Sequence, residues 1–180
     1  MILHSDPNAG SLTPELLRYL ESRIGEIPSD YCRFLLSKNG GIVNPDFELQ
    51  SVSLPEDVKP AVYEFCSINC SRGAETVDLD IERWALNFGT NFVPIASDGI
   101  GNDFLISVGE GNAGHVYFRN HEEVDEDVAG SGLTRVAESF TDFLSQLHQS
   151  EPTLSGGRPR ELSNPQVSLQ PLRKPWWRFW

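Results

Sequence analysis

Ile27-Pro28-Ser29-Asp30-Tyr31-Cys32-Arg33-Phe34-Leu35-Leu36-Ser37-Lys38-Asn39-Gly40-Gly41 is the stretch whose reading decides the fold. Pro28 has a fixed φ that suits a helix entrance, and Ser29 and Asp30 carry oxygens for the backbone N–H groups that a first turn leaves unpaired. Tyr31, Phe34, Leu35 and Lys38 recur at i, i+3, i+4 and i+7. This spacing predicts a helix with one apolar face and a cation near its negative pole. Asn39 and Gly40 tolerate positive φ, which stops the helix and turns the chain towards Ile42 and Val43.

Upstream, Thr13-Pro14-Glu15 opens another helix whose stripe is Leu16, Leu17, Leu20 and Ile24, with Gly25 at its end. Downstream, Phe47 and Leu49 alternate with polar residues, and Ala61 to Ile68 is β-rich once Pro55 and Pro60 are passed, so two strands are expected. Ile81, Trp84, Ala85 and Phe88 have helical spacing before Gly89, which makes Trp84 a core residue. Phe92 to Ala96, Asp103 to Val108 and His115 to Asn120 are strands separated by glycine-containing turns, and short turns impose antiparallel neighbours. Leu133 to Ala137 suits an edge strand. Ser139-Phe140-Thr141-Asp142 has capping-box spacing, ahead of a helix lined by Phe140, Phe143, Leu144 and Leu147. The expected class is α+β: an antiparallel sheet of about five or six strands with helices packed mainly on one face.

Of 180 residues, 14 are Lys or Arg and 26 are Asp or Glu, for a formal charge of -12. Such a surface repels phosphate, so direct nucleic-acid binding by the body is disfavoured and a basic partner is steered in. Arg158, Arg160, Arg173, Lys174 and Arg178 outweigh Glu151 and Glu161, so residues 151–180 are at +3 and subtraction from -12 leaves -15 for residues 1–150. The expected organisation is one domain over 1–150 and a flexible Pro- and Arg-rich tail over 151–180 that ends in an aromatic motif, Trp176, Trp177, Phe179 and Trp180. No basic n-region precedes an apolar run, and no stretch approaches the ~20 apolar residues of a membrane span, so a cytoplasmic protein is expected. The 3 cysteines, Cys32, Cys66 and Cys70, form no CxxC pair and read as reduced thiols.

Catalytic constellations are missing from the pattern. Gly109-Glu110-Gly111-Asn112-Ala113-Gly114 has the GxGxxG form, but a strand follows it where a dinucleotide site needs a helix N-terminus, so it reads as a hairpin loop. Asp98, Asn102 and Asp103 lack EF-hand spacing and its closing Glu. His4, His115, His121 and His148 show neither HExxH nor HxH spacing. No cofactor, metal or enzymatic activity is expected. His115, Tyr117 and Arg119 should share one side of their strand, either as a partner-facing row or as an ordinary solvated face. Glu122, Glu123, Asp125, Glu126 and Asp127 form a dense anionic run beside it, suited to a cationic protein surface or simply to solvent.

Three ordered segments together resemble the signature of the SUKH superfamily, the Smi1/Knr4 family. The first is Pro28, Asp30, Tyr31, Phe34-Leu35-Leu36 and Asn39-Gly40. The second runs from Phe92 to Leu105 and contains Asp98-Gly99-Ile100-Gly101-Asn102-Asp103. The third is Gly114-His115-Val116-Tyr117-Phe118 with its acidic run, and the helix from Phe140 to Leu147 closes a resemblance over roughly residues 10–150. In that resemblance Asp98, Gly99, Gly101 and Asp103 are structural, tying two strands by side-chain to backbone bonds. SUKH-like bacterial proteins are commonly immunity proteins that bind and neutralise a cognate toxin, often a nuclease. The resemblance therefore implies a non-enzymatic binding module with a basic toxin domain as partner. The alternative is a cytosolic scaffold or regulator that docks through its tail. The tail lies outside the resemblance, and its aromatic end suits a protein groove, peripheral contact with a membrane surface or the protein's own body.

Overall fold

Thr13 accepts the Leu16 N–H at 3.2 Å and so caps α1 (Pro14–Ile24), with Pro14 in the first turn where no backbone donor is needed. In the computed structural model, which describes residues 2–4, 9–68, 71–72, 75–76, 92–124 and 131–149, this helix buries Leu17, Leu20 and Ile24. The signature stretch forms α2 (Ser29–Lys38), closed by Asn39 in the left-handed region at φ 47° with its N–H on the Leu35 carbonyl at 2.8 Å. Asn39 is 8% exposed, and its side chain does more than permit the turn. Nδ2 donates to the carbonyls of Gly10 at 3.0 Å and Ile68 at 2.8 Å, while Oδ1 accepts the Ile68 N–H at 2.9 Å. One residue thus ends the helix and pins two distant segments to it.

The sheet is larger than expected. Among the described residues its eight strands include an antiparallel path from β1 (Ile2–His4) through β2 (Gly41–Leu49), β3 (Ala61–Phe65), β6 (Phe92–Ser97), β7 (Asp103–Ser107) and β8 (Val116–Arg119) to β9 (Leu133–Ala137). β4 (Ser71–Arg72) and β5 (Glu75–Thr76) pair separately. A short helix, α3 (Phe140–Ser145), ends two residues earlier than the sequence suggests, and Leu147 instead enters the eighth strand, β10 (Leu147–Gln149). β10 and β1 share the outer side of β2: one pairs with Phe47–Leu49, the other with the half that begins at Ile42. The helix expected around Ile81 to Phe88, together with Trp84 and Cys70, lies outside the described residues, as does everything from 150 onward.

The core is aromatic where the helices meet the sheet. Tyr31 lies 4.9 Å and Phe34 5.0 Å, centroid to centroid, from Phe140; Phe34 reaches Phe65 at 5.2 Å and Phe143 reaches Phe104 at 5.1 Å. α2 and α3 therefore cover the same sheet face, and each large ring removed from water contributes roughly 1.5–3 kcal/mol. Tyr31 is fully buried, and its hydroxyl has no hydrogen-bond partner among the described residues, so burial pushes its pKa well above the ordinary tyrosine value. Cys32 is a packed thiol as well. Its Sγ donates to the Ile27 carbonyl at 3.4 Å, and burial, helped by Glu21, pushes its pKa up to about 11.

Candidate functional site

The turn between β6 and β7 is organised by one carboxylate. Asp98 Oδ1 accepts the N–H groups of Ile100 at 2.9 Å and Asn102 at 3.0 Å, and Oδ2 accepts Asn102 Nδ2 at 2.6 Å. Asn102 Oδ1 is left facing the next hairpin, where it accepts the His121 N–H at 3.0 Å and lies 2.7 Å from ring Nδ1. Gly101, at φ 119°, makes room for that ring, since a Cβ there would lie 3.3 Å from Nδ1. The turn holds Ile100 out at 77% exposure, and Tyr63 of β3, against Gly99, is 47% exposed.

His121 begins a 3₁₀ turn, His121–Glu123, that follows β8. Asn120 holds it from within: Oδ1 accepts the Glu122 N–H at 3.1 Å and Nδ2 donates to Glu123 Oε1 at 3.0 Å. Asn120 N–H in turn donates to the Gly132 carbonyl at 2.9 Å, so the turn is tied to the start of β9. His121, Glu122 and Glu123 are exposed, while Asp125, Glu126 and Asp127 lie outside the described residues. Tyr63, Ile100, His121, Glu122 and Glu123 thus form an apex of apolar and acceptor groups on a bonded frame.

The row expected on β8 has a more internal character. His115 Nε2 lies 3.1 Å from Glu138 Oε2, and Glu138 Oε1 lies 3.3 Å from Arg135. Tyr117 packs edge-on against Phe92 at 5.0 Å, and Asn112 Nδ2 donates to its hydroxyl at 3.3 Å. Arg119 is only 8% exposed and pairs at 3.2 Å with Asp103, which sits directly opposite it in the register. Burial pushes Asp103 up to about 6 against the pull of Arg119, and the nearby Asp98 charge adds to the rise. A charged residue on the strand's outer alternation is therefore an internal strut. Near the His115 end, an open cavity of about 340 Å³ is lined by Ser51, Val52, Arg135, Glu138, Asp142 and Gln146, among others.

Comparison with known protein families gives a match to the model of the SMI1 / KNR4 family (SUKH-1) over residues 11–146. The chain belongs to that family. No curated protein and no solved structure matches it.

The charge of this SUKH-1 domain is polarised along the chain. Within the α1–α2 hairpin, Arg18, Arg23, Arg33 and Lys38 balance Glu15, Glu21, Glu26 and Asp30, so the net negative charge of the body comes from residues outside the hairpin. Among the described residues, no group of three or more His, Cys, Asp or Glu side chains is placed to hold a metal ion, and no helix is long and apolar enough to cross a membrane. The sequence assigns Asn102 to the turn alone and no role to Ile100 or His121. The Asp98-Gly-x-Gly-Asn102 pattern signals the turn, but nothing local marks His121, 19 residues on, as the side chain it holds.

Proposed function

We propose that this SUKH-1 domain is a non-catalytic protein-binding module, an immunity protein that occludes a cognate toxin whose active surface is cationic. The observation that carries this reading is the apex, where the exposed Ile100 adjoins Gly101 under the His121 ring and Glu122 and Glu123 follow His121 on a bonded turn, in a chain of net charge -12. The Glu123 carboxylate, held by Asn120, loses less side-chain entropy on binding than a freely rotating one, and an apolar neighbour supplies area that charge alone does not. Occlusion needs shape and complementary potential, and no bond is made or broken. The acidic run continues in sequence through Asp125, Glu126 and Asp127, which are proposed to engage the same cationic partner. His115 lies at the opposite end of β8 against Glu138 and Tyr117 packs on Phe92 between the two ends, while Arg119 braces the near end through Asp103. The aromatic residues Trp176, Trp177, Phe179 and Trp180 remain a separate proposed docking motif.

Co-expression with a basic toxin encoded beside this protein tests the reading. Growth is expected to be restored by the wild type and not by the Glu122→Lys/Glu123→Lys double variant. Arrest that persists with the wild type, or rescue by the charge-reversed protein as well, would overturn it.

A further inference from the structure

The neutral ring of His121 has one permitted tautomer. Asp98 accepts two backbone N–H groups at Oδ1, so the Asn102 side-chain atom 2.6 Å from its Oδ2 must be a donor, the amide nitrogen. The Asn102 oxygen is thereby aimed at His121, and acceptance of the His121 backbone N–H at 3.0 Å fixes the same orientation independently. An amide oxygen offers lone pairs only. Ring Nδ1, 2.7 Å away, therefore carries the proton, and Nε2 carries a lone pair. The Nδ1, Cε1 and Cγ atoms of the ring lie over Gly101 and the residue is exposed, so Nε2 is not among the ring atoms nearest that contact.

We infer that His121 is a specificity-determining residue of the docking face: in its neutral form the oriented imidazole presents Nε2 as an acceptor to an N–H donor on a cationic side chain of the partner. This rests on the cationic partner proposed above. The carboxylates of Glu122 and Glu123 attract a positive charge from any direction, whereas one oriented lone pair accepts a donor from a single direction. Ile100 and Tyr63 lie on the same apex, so the aliphatic stem of an arginine or lysine has apolar surface to cover while its head meets the acceptors. The Asp98–Asn102 pair is then a positioning device that fixes which nitrogen of His121 the partner meets.

Long-range ¹H–¹⁵N spectra of the full-length chain, recorded at a pH where the ring is neutral, test this without the natural partner. His121 is expected to show a protonated Nδ1 and an unprotonated Nε2. Methylguanidinium should shift Nε2 saturably, while tetramethylammonium, which carries the same charge without an N–H, should not. Asn102→Ala should release the ring into both tautomers, and if that variant gives no folded spectrum the wild-type titration decides. An Nε2–H tautomer, a mixture of both in the wild type, or an equal response to the two probes, none included, overturns the inference. The expected tautomer and donor-selective shift in a protein that neutralises no basic toxin would sink the immunity reading alone.

Discussion

Asp30 of α2 reaches Thr141 of α3, its Oδ2 accepting the Thr141 N–H at 2.8 Å and hydroxyl at 3.1 Å. The acidic residue of the signature stretch thus caps a helix 111 residues away, while its other oxygen accepts the Tyr31 N–H at 2.9 Å. Asp30→Ala leaves a first-turn donor of α3 unpaired and is expected to cost about 1–2 kcal/mol, with Asp30→Asn costing less because an amide oxygen still accepts. Urea unfolding measures both. An Asp30→Ala midpoint equal to that of the wild type would show that the link carries no stability.

Asn39 combines a strained backbone with three side-chain hydrogen bonds. Asn39→Gly keeps the turn and loses the bonds, whereas Asn39→Ala loses the bonds and must hold a Cβ in the left-handed region. Glycine is expected to be the milder change by about 1 kcal/mol, and both should be destabilising by more than that, because the Ile68 N–H and the Gly10 and Ile68 carbonyls lose their partner. A reversed order in thermal unfolding would contradict this account.

Asp103 gives the fold a pH dependence of definite sign. Its carboxyl rises from 3.8 to about 6 on folding, so the native state holds the proton more tightly than the unfolded chain. The stability it contributes is complete below about 3.8 and lost as the pH rises through about 6. The difference in unfolding free energy between wild type and Asp103→Asn should therefore fall by up to about 3 kcal/mol across that window. A difference that is flat or grows with pH rejects the burial argument.

Tyr31→Phe removes a hydroxyl that is desolvated without a hydrogen-bond partner among the described residues. The ring contacts with Phe34 and Phe140 survive the change. The variant is expected to match or exceed the wild type, by up to about 1 kcal/mol, since burying an unpaired hydroxyl is a cost. A clear loss of stability by chemical denaturation would reveal a bond from this hydroxyl.

Local signals were legible because local physics produces them. The cap at Thr13, the span of α2, the left-handed stop at Asn39 and the β6, β7 and β8 run separated by glycine turns all follow from neighbours in sequence. β1 and β10 were not legible. Each has three residues, too few for a period of two to register, and each exists only because the outer side of β2 offers it unpaired backbone groups. Leu147 fits a helical stripe by spacing, yet the chain leaves α3 at Ser145 for that edge.

By itself, the sequence determined the family, the α+β class and the acidic balance of the chain, because capping, side-chain periodicity and charge are properties of residues and their near neighbours. Only the tertiary structure decided that Arg119 is a buried strut to Asp103 and that His121 is oriented by Asn102. Both pairings depend on strand register, which sets residues 16 and 19 positions apart side by side. A hydrogen bond senses that separation in space and is blind to it along the chain.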